Sequence, residues 1–323
     1  MTFHCAVVIP TKNAMPRLQG VMDKVLHQKT PFEYEVIVID SGSKDGTVSY
    51  IKSLDQVRLI EIDPKDFGHG RTRNLAIQAA DAEFVALLTH DAEPVDDQWL
   101  VRLVAAVEQD PQIAGAFGRH IAYDDASPFT KHDLDTHFSG FLNHPLVVHR
   151  ELDAEKYDTD EGWKQFLHFF SDNNAILRKA IWQHIPYPDV EFAEDQLWAR
   201  HIIEAGYSKA YAPEAAVYHS HDYSSIEQLR RAFDESRNFS KYFGYKLSPT
   251  LLSVFKSTVK FSIQAFRQNL DAATYGRVRF IDRLKRALQR TALVFGHYLG
   301  SHHERLPRFV SSALSLDHKL FKA

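Results

Sequence analysis

Over the first 120 residues, short uninterrupted apolar runs alternate with stretches whose apolar side chains recur every three or four positions. Residues 6–10, 35–40 and 83–88 read as strands buried on both faces, and residues 57–62 alternate as a strand does. Helices are predicted between them, through Leu18, Val21, Met22, Val25 and Leu26, through Val48, Ile51 and Leu54, and over residues 74–80. The alternation predicts an α/β chain with a mostly parallel sheet covered by helices on both faces, where ligands sit at the carboxyl ends of the strands.

Residues 121–165 are rich in Asp, His, Phe and Thr without clear periodicity, and are expected as a long loop region over the site. Order returns at residues 172–178. A helix follows Glu194 through Leu197, Trp198, His201 and Ile202 to Gly206, and residues 210–219 read as a further strand. The C-terminal stretch is helical in pattern. Leu251, Phe255, Val259, Ile263, Phe266 and Leu270 form one apolar stripe; Ile281, Leu284, Leu288 and Phe295 form another, opposite Arg279, Arg283, Arg286 and Arg290. That helix either packs on the body with a solvated basic face or lies with its arginines on an anionic bilayer.

Composition narrows the class. The 323 residues are 44% hydrophobic and 25% charged, which excludes collagen-like and wholly disordered chains. A single cysteine, Cys5, excludes an internal disulfide framework and a thiolate zinc site, and suits a reducing compartment. The N-terminus has no basic stretch of the kind that opens a signal peptide, and no run of 18 residues is free of charge and apolar throughout. A soluble or peripheral protein is expected. The net charge of −4 conceals a split: residues 251–323 carry 13 Lys and Arg against 4 Asp and Glu, so the first 250 residues are acidic.

Several motifs fall at strand or helix ends. Asp40 precedes Ser41 and Gly42 at the end of the second strand, either as turn chemistry or as an acceptor for the imide N–H of a pyrimidine base. Asp91, after Thr89 and His90, ends the fourth strand, as a cap or as a ligand bridging a hard cation to a diphosphate. Arg71, Arg73 and Asn74 lie around a helix N-terminus, as an anion site or as structural ion pairs. Glu194 and Asp195 open a helix whose dipole favours ionised carboxylates, which suits a general base. His219 and His221 share one face of a strand end, as metal ligands or as hydrogen-bonded structure. The spacing of Gly42 and Gly46 does not match a dinucleotide-binding loop, and Arg73 occupies the third glycine position after Gly68 and Gly70; nicotinamide and flavin enzymes are disfavoured.

The order of these motifs resembles the family 2 glycosyltransferases: Pro10-Thr11-Lys12-Asn13, Asp40-Ser41-Gly42, Gly70-Arg71 with Arg73-Asn74, Thr89-His90-Asp91, and Glu194-Asp195 with Trp198. The resemblance covers residues 4–222. It implies a GT-A-type, Rossmann-like fold with a C-terminal helical extension, a nucleotide-diphosphate sugar donor, magnesium or manganese, and inversion at the anomeric carbon. By the same resemblance Pro10, Thr11, Asn13, Asp40, Ser41, Gly42, Arg71, Arg73, Asn74, His90 and Asp91 are expected to bind the nucleotide sugar. Asp195 is expected as the base, Glu194 and Trp198 on the acceptor side, and Asp91 with His219 as metal ligands. His90 stands where the family has its first metal-motif carboxylate, which raises the weight on His219.

The segment from Phe67 to Asn74 (Phe-Gly-His-Gly-Arg-Thr-Arg-Asn) and the later Tyr218-His219-Ser220-His221 with Tyr223-Ser224 resemble a rhamnosyltransferase subgroup that uses dTDP-L-rhamnose to build bacterial surface polysaccharide. The resemblance leads to a catalytic domain over 1–245, with a nucleotide-sugar half to about 120 and an acceptor half from 121, and a basic amphipathic tail over 246–323. The expected partners are the donor, a lipid-linked or polymeric saccharide acceptor and an anionic membrane surface, with no nucleic acid. The expected place is the cytoplasm, at the inner face of the inner membrane. A UDP-hexose donor, or a nucleotidyltransferase, remains the alternative; the latter wants a glycine-rich loop that residues 10–16 lack.

Overall fold

In the computed structural model, which describes residues 3–316, the chain divides into two units. One comprises Met1–Ala122 and Leu134–His219; the other comprises Tyr123–Asp133 and Ser220–Ala323. The division falls after His219, so residues 220–245, which the sequence reading joined to the catalytic body, group with the C-terminal helices. The last seven residues of the expected tail lie outside the described residues.

The first unit begins with β1 (Phe3–Thr11), α1 (Arg17–Leu26), β2 (Tyr34–Asp40), α2 (Thr47–Lys52), β3 (Val57–Glu61), α3 (His69–Ala79) and β4 (Ala82–Leu88). It continues through β5 (Glu93–Pro94), α4 (Trp99–Glu108), β6 (Ile113–Ile121), α5 (Pro128–Gly140, which runs in from the second unit), β7 (Val147–Val148), α6 (Ala154–Thr159), α7 (Glu161–His168), β8 (Asn174–Arg178), α8 (Lys179–His184), α9 (Glu194–Glu204) and β9 (Ser208–Tyr218). The strands form one sheet in the order β3-β2-β1-β4-β8-β6-β9-β5, with β7 also on β9. Pairings among β3, β2, β1 and β4 and between β6 and β9 are parallel, while β8 runs antiparallel between β4 and β6. The α/β expectation of a mostly parallel sheet therefore holds, with β8 and the short β5 and β7 running antiparallel to their neighbours.

Both faces of the sheet are covered, which is why its central strands are apolar without interruption. On β1, Cys5, Val7 and Ile9 face a core with α1 and α4, whereas Ala6 and Val8 face a second core with α3, α8 and α9. Cys5 is fully buried, and burial pushes its thiol up to about 12.

Residues 121–165 are not a loop. They form α5, α6, most of the approach to α7, and the short β7. Their helices are short, begun by Asp153 and Asp160, whose side chains accept from Lys156 N–H and Trp163 N–H. They are anchored by scattered aromatics such as Phe138, Phe141 and Tyr157. Lys209 on β9 is buried and donates to the carbonyls of Phe166 (2.9 Å) and Phe169. Such anchoring leaves no apolar period in the sequence.

The second unit holds α10 (Ser225–Tyr242), α11 (Leu251–Arg267), α12 (Ala272–Tyr275), α13 (Phe280–Ser301) and α14 (Arg308–Leu314). Helices α10 and α13 approach so closely that a Cβ on Gly296 would stand 2.4 Å from the Leu229 carbonyl oxygen, and one on Gly300 2.3 Å from that of Phe233. Only glycine fits at these two positions.

Candidate functional site

The carboxyl ends of β1 and β2 are tied together by side chains. Asp40 is 1% exposed; its Oδ1 accepts from the N–H groups of Gly42 (2.9 Å) and Ser43 (2.8 Å), and its Oδ2 from the hydroxyls of Thr11 (2.9 Å) and Ser43 (2.5 Å). Its acceptor directions are thus filled from within the protein. Asp40 builds the turn, and meeting a base requires exchanging one of these donors. Ser41 is buried and donates its hydroxyl to the Thr11 carbonyl at 3.2 Å. Gly42 has φ of 87°, and a Cβ there would lie 2.6 Å from Pro64 Cγ, so this turn demands glycine. Asn13, itself at φ 49°, donates its N–H to Ser43 Oγ and accepts from Lys44 N–H, latching the loop after Pro10 and Thr11 to the loop after Asp40.

The arginines at α3 separate in role. Arg71 is exposed and paired at 2.8 Å with the exposed Asp189. Arg73 is 7% exposed; its Nη1 donates to Glu194 Oε1 at 2.7 Å, and its Nε lies 3.3 Å from Asp172 Oδ2. Burial opposes its charge, but Asp172 and Glu194 outweigh that and raise its pKa. Asn74 is spent inside the fold: Nδ2 donates to the Tyr187 carbonyl, while Oδ1 accepts from Trp182 Nε1–H and Tyr187 N–H. Arg73 is held by Glu194, Asp172 and the His69 carbonyl, and the half-buried Asn74 by Tyr187 and Trp182.

At the start of α9 the chain passes through Ala193, a non-glycine residue at φ 60°, directly before Glu194 and Asp195. Glu194 is buried against Arg73, and Trp198 is fully buried, its Nε1–H bonded to the Ile185 carbonyl at 2.8 Å and its ring edge-on to Phe170. Both were expected toward an acceptor; both are internal. Asp195 is only part-buried by side-chain access, and its Oδ1 accepts from Gln196 N–H at 2.8 Å. Its Oδ2 lies 3.5 Å from the Asp172 N–H.

Asp172, at the entry to β8, is a member of this cluster that the motif reading passed over. It is 2% exposed, and Tyr187 donates its hydroxyl to Oδ1 at 2.7 Å. Burial, with Glu194 adding and Arg73 opposing, pushes its carboxyl from 3.8 up to about 7. Asp195 is pushed well above its ordinary range by burial first, then by Glu194 and Asp172. The helix N-terminus was expected to hold Asp195 ionised; burial and two neighbouring carboxylates outweigh it. The three carboxylates share one guanidinium, so their protons belong to the group. The signal available in the sequence was Asp172 immediately before two asparagines and a strand.

A second group lies where β4 and β9 end. His90 and Asp91 are partly buried in the turn after β4, and Asp91 Oδ1 stands 3.6 Å from His219 Nε2. Two atoms that share an ion at about 2.1 Å each lie no more than about 4.2 Å apart, so this pair fits a single divalent cation. The carboxylate suits magnesium or manganese, and of the two the imidazole nitrogen favours manganese. His120, another residue absent from the motif reading, packs edge-on against His219 with ring centroids 5.2 Å apart. Burial drives its pKa well below the usual histidine range, and its Nε2 has no hydrogen-bond partner. His221 follows two residues later, in the second unit.

Known proteins resemble this chain in sequence and in fold. The O-antigen chain rhamnosyltransferase RfbN of Salmonella typhimurium is 37% identical over 231 residues, covering 71% of this chain and 70% of that protein. The O-antigen chain rhamnosyltransferase WbaN of Salmonella anatum is 30% identical over the same shares. Among solved structures, the mannosyltransferase PcManGT from Pyrobaculum calidifontis, in complex with GDP-Man and Mn2+, matches with a TM-score of 0.62 at 17% identity, over 95% of this chain and 89% of that one. That likeness is one of fold. Residues 6–185 match the family described as Glycosyl transferase family 2, and with that match the chain belongs to family 2 of the glycosyltransferases.

Proposed function

We propose that this enzyme is an inverting rhamnosyltransferase that moves L-rhamnose from dTDP-L-rhamnose to a lipid-linked or polymeric saccharide during bacterial surface-polysaccharide (O-antigen or capsule) synthesis, in the cytoplasm at the inner membrane. The names of the two Salmonella relatives support the sugar. The observation that carries the mechanism is the part-buried Asp195, with a raised pKa, in the same unit as an Asp91–His219 pair spaced for one cation.

In the reaction, the acceptor hydroxyl gives its proton to a carboxylate oxygen of Asp195. The freed oxygen bonds to the anomeric carbon, and the bond from that carbon to the diphosphate breaks on the opposite face, its electron pair leaving with dTDP. In its ionised form Asp195 is a stronger base for this proton than an ordinary aspartate, because burial and its carboxylate neighbours raise its pKa. Asp91 and His219 would hold magnesium or manganese, which neutralises charge on the diphosphate. The loops carrying Pro10, Thr11, Asn13, Ser41 and Gly42 would frame the nucleotide, near His90. Arg71, exposed and held by an exposed partner, is the arginine able to trade Asp189 for a phosphate. Arg73 would instead fix the carboxylates.

Calorimetry with dTDP, UDP and GDP, each with and without manganese, tests the reading. Manganese-dependent preference for dTDP supports it. Preference for UDP keeps the fold and reaction but removes rhamnose as the donor sugar, and failure of all three removes the nucleotide site.

A further inference from the structure

Within the second unit, α11 and α13 lie side by side, joined at the Phe266 and Phe280 rings (centroids 5.8 Å apart). Of the four arginines expected to form a basic outer face, Arg283, Arg286 and Arg290 are used within the unit, whereas Arg279 is exposed. Arg283 Nη1 donates to the carbonyls of Ala265, Phe266 and Gln268 at the end of α11. Arg286 and Arg290 both bind Asp133, at 2.6 and 3.1 Å, and lie over the rings of Phe129 and Phe261. Arg279 pairs with Asp282 at 3.2 Å. Arg283, Arg286 and Arg290, on the face that either lies solvated or meets a bilayer in the sequence reading, help to hold this unit together.

The apolar side faces outward instead. Leu252 is 61% exposed, Phe255 66% and Phe280 72%, continuous in pattern with Val259, Ile263 and Leu284. Of 17 exposed large apolar side chains among the described residues, 12 lie from Leu251 to Phe309, a concentration that a solvated surface does not sustain. Its fringe is cationic: Lys256, Lys260 and Arg267 are exposed on α11 and Lys285 on α13. No acidic residue occurs in α11, and the one in α13, Asp282, is neutralised by Arg279. A second copy offering the same face would set cation against cation, whereas an anionic lipid surface complements both the apolar stripe and its fringe. No described helix is long and apolar enough to cross a bilayer, so the pair lies on it.

We propose that the joined apolar face of α11 and α13, not its arginine ridge, docks into the headgroup–acyl boundary of an anionic bilayer, with the lysines meeting lipid phosphates. This deepens the inner-membrane location proposed above, but its test reads lipid binding alone and stands apart from donor and acceptor.

The full chain is floated with phosphatidylcholine vesicles, with and without phosphatidylglycerol. The expected result is flotation with the anionic vesicles, weakened about tenfold or more by Phe255→Ser or Phe280→Ser. Lys256→Gln with Lys260→Gln should lower the preference for anionic vesicles about fivefold per lysine and leave residual binding. Unchanged melting temperatures certify that the variants fold. The proposal is overturned if the wild type stays in solution with anionic vesicles. It is equally overturned if light scattering finds a dimer that Phe255→Ser converts to monomer, since the face then serves two copies.

Discussion

Burial first, and then the single positive charge of Arg73 among three carboxylates, set how Asp172 and Asp195 titrate. A carboxyl whose folded pKa lies above its unfolded value binds its proton more tightly in the folded chain, so the folded state loses stability as pH rises through the interval. For Asp172 that interval runs from 3.8 to about 7. Relative to Asp172→Asn, the wild type should therefore lose stability across it, as read by urea midpoints at a series of pH values; a parallel pair of curves would contradict the raised pKa. Asp195→Asn should lower kcat about a thousandfold while dTDP affinity stays within about twofold. Equal losses in both would make Asp195 a donor ligand. His219→Ala should weaken manganese-dependent dTDP binding at least about tenfold, about 1.4 kcal/mol, and leave metal-free binding unchanged.

Among the elements, legibility in the sequence tracked how each is held. The strands β1, β2 and β4 are buried on both faces, and their apolar runs announce them; α9 announces itself by Glu194, Asp195 and the period of Leu197, Trp198 and Ile202. The stretch from α5 to α7 was illegible because capping aspartates, scattered aromatics and the buried Lys209 hold it. The partners of the carboxylates were hidden for a related reason. Asp172 meets Arg73 only because β8 runs antiparallel and brings its entry to the edge where the parallel strands exit. The exposed side of α13 was likewise set by Asp133, more than a hundred residues away in sequence. Asn174 fixes that edge, accepting from Trp99 Nε1–H at 2.8 Å and donating to the Ala215 carbonyl at 2.8 Å. In the second unit the glycines set the helix spacing. Gly300→Val should cost about 2–3 kcal/mol by forcing α13 from α10, measurable as a lowered melting temperature; an unchanged one would mean the helices separate freely.

For the molecule as a whole, the acidic first 250 residues and the basic remainder divide the charge, but Arg283, Arg286 and Arg290 are spent on contacts within the second unit, which leaves lysines together with arginines such as Arg267 and Arg279 to face solvent. Lipid attachment should accordingly be only partly salt-sensitive, since salt screens the lysines and not the apolar stripe. Vesicle flotation at low and high salt reads this, and complete release at high salt would assign the attachment to charge alone. Following the face at finer detail is made simple by Cys5. Its thiol, the only one in the chain, is sealed in the sheet and kept protonated at neutral pH. A Val259→Cys variant therefore presents a single addressable sulfur, and a spin label or fluorophore placed there reports immersion depth on an otherwise unaltered background.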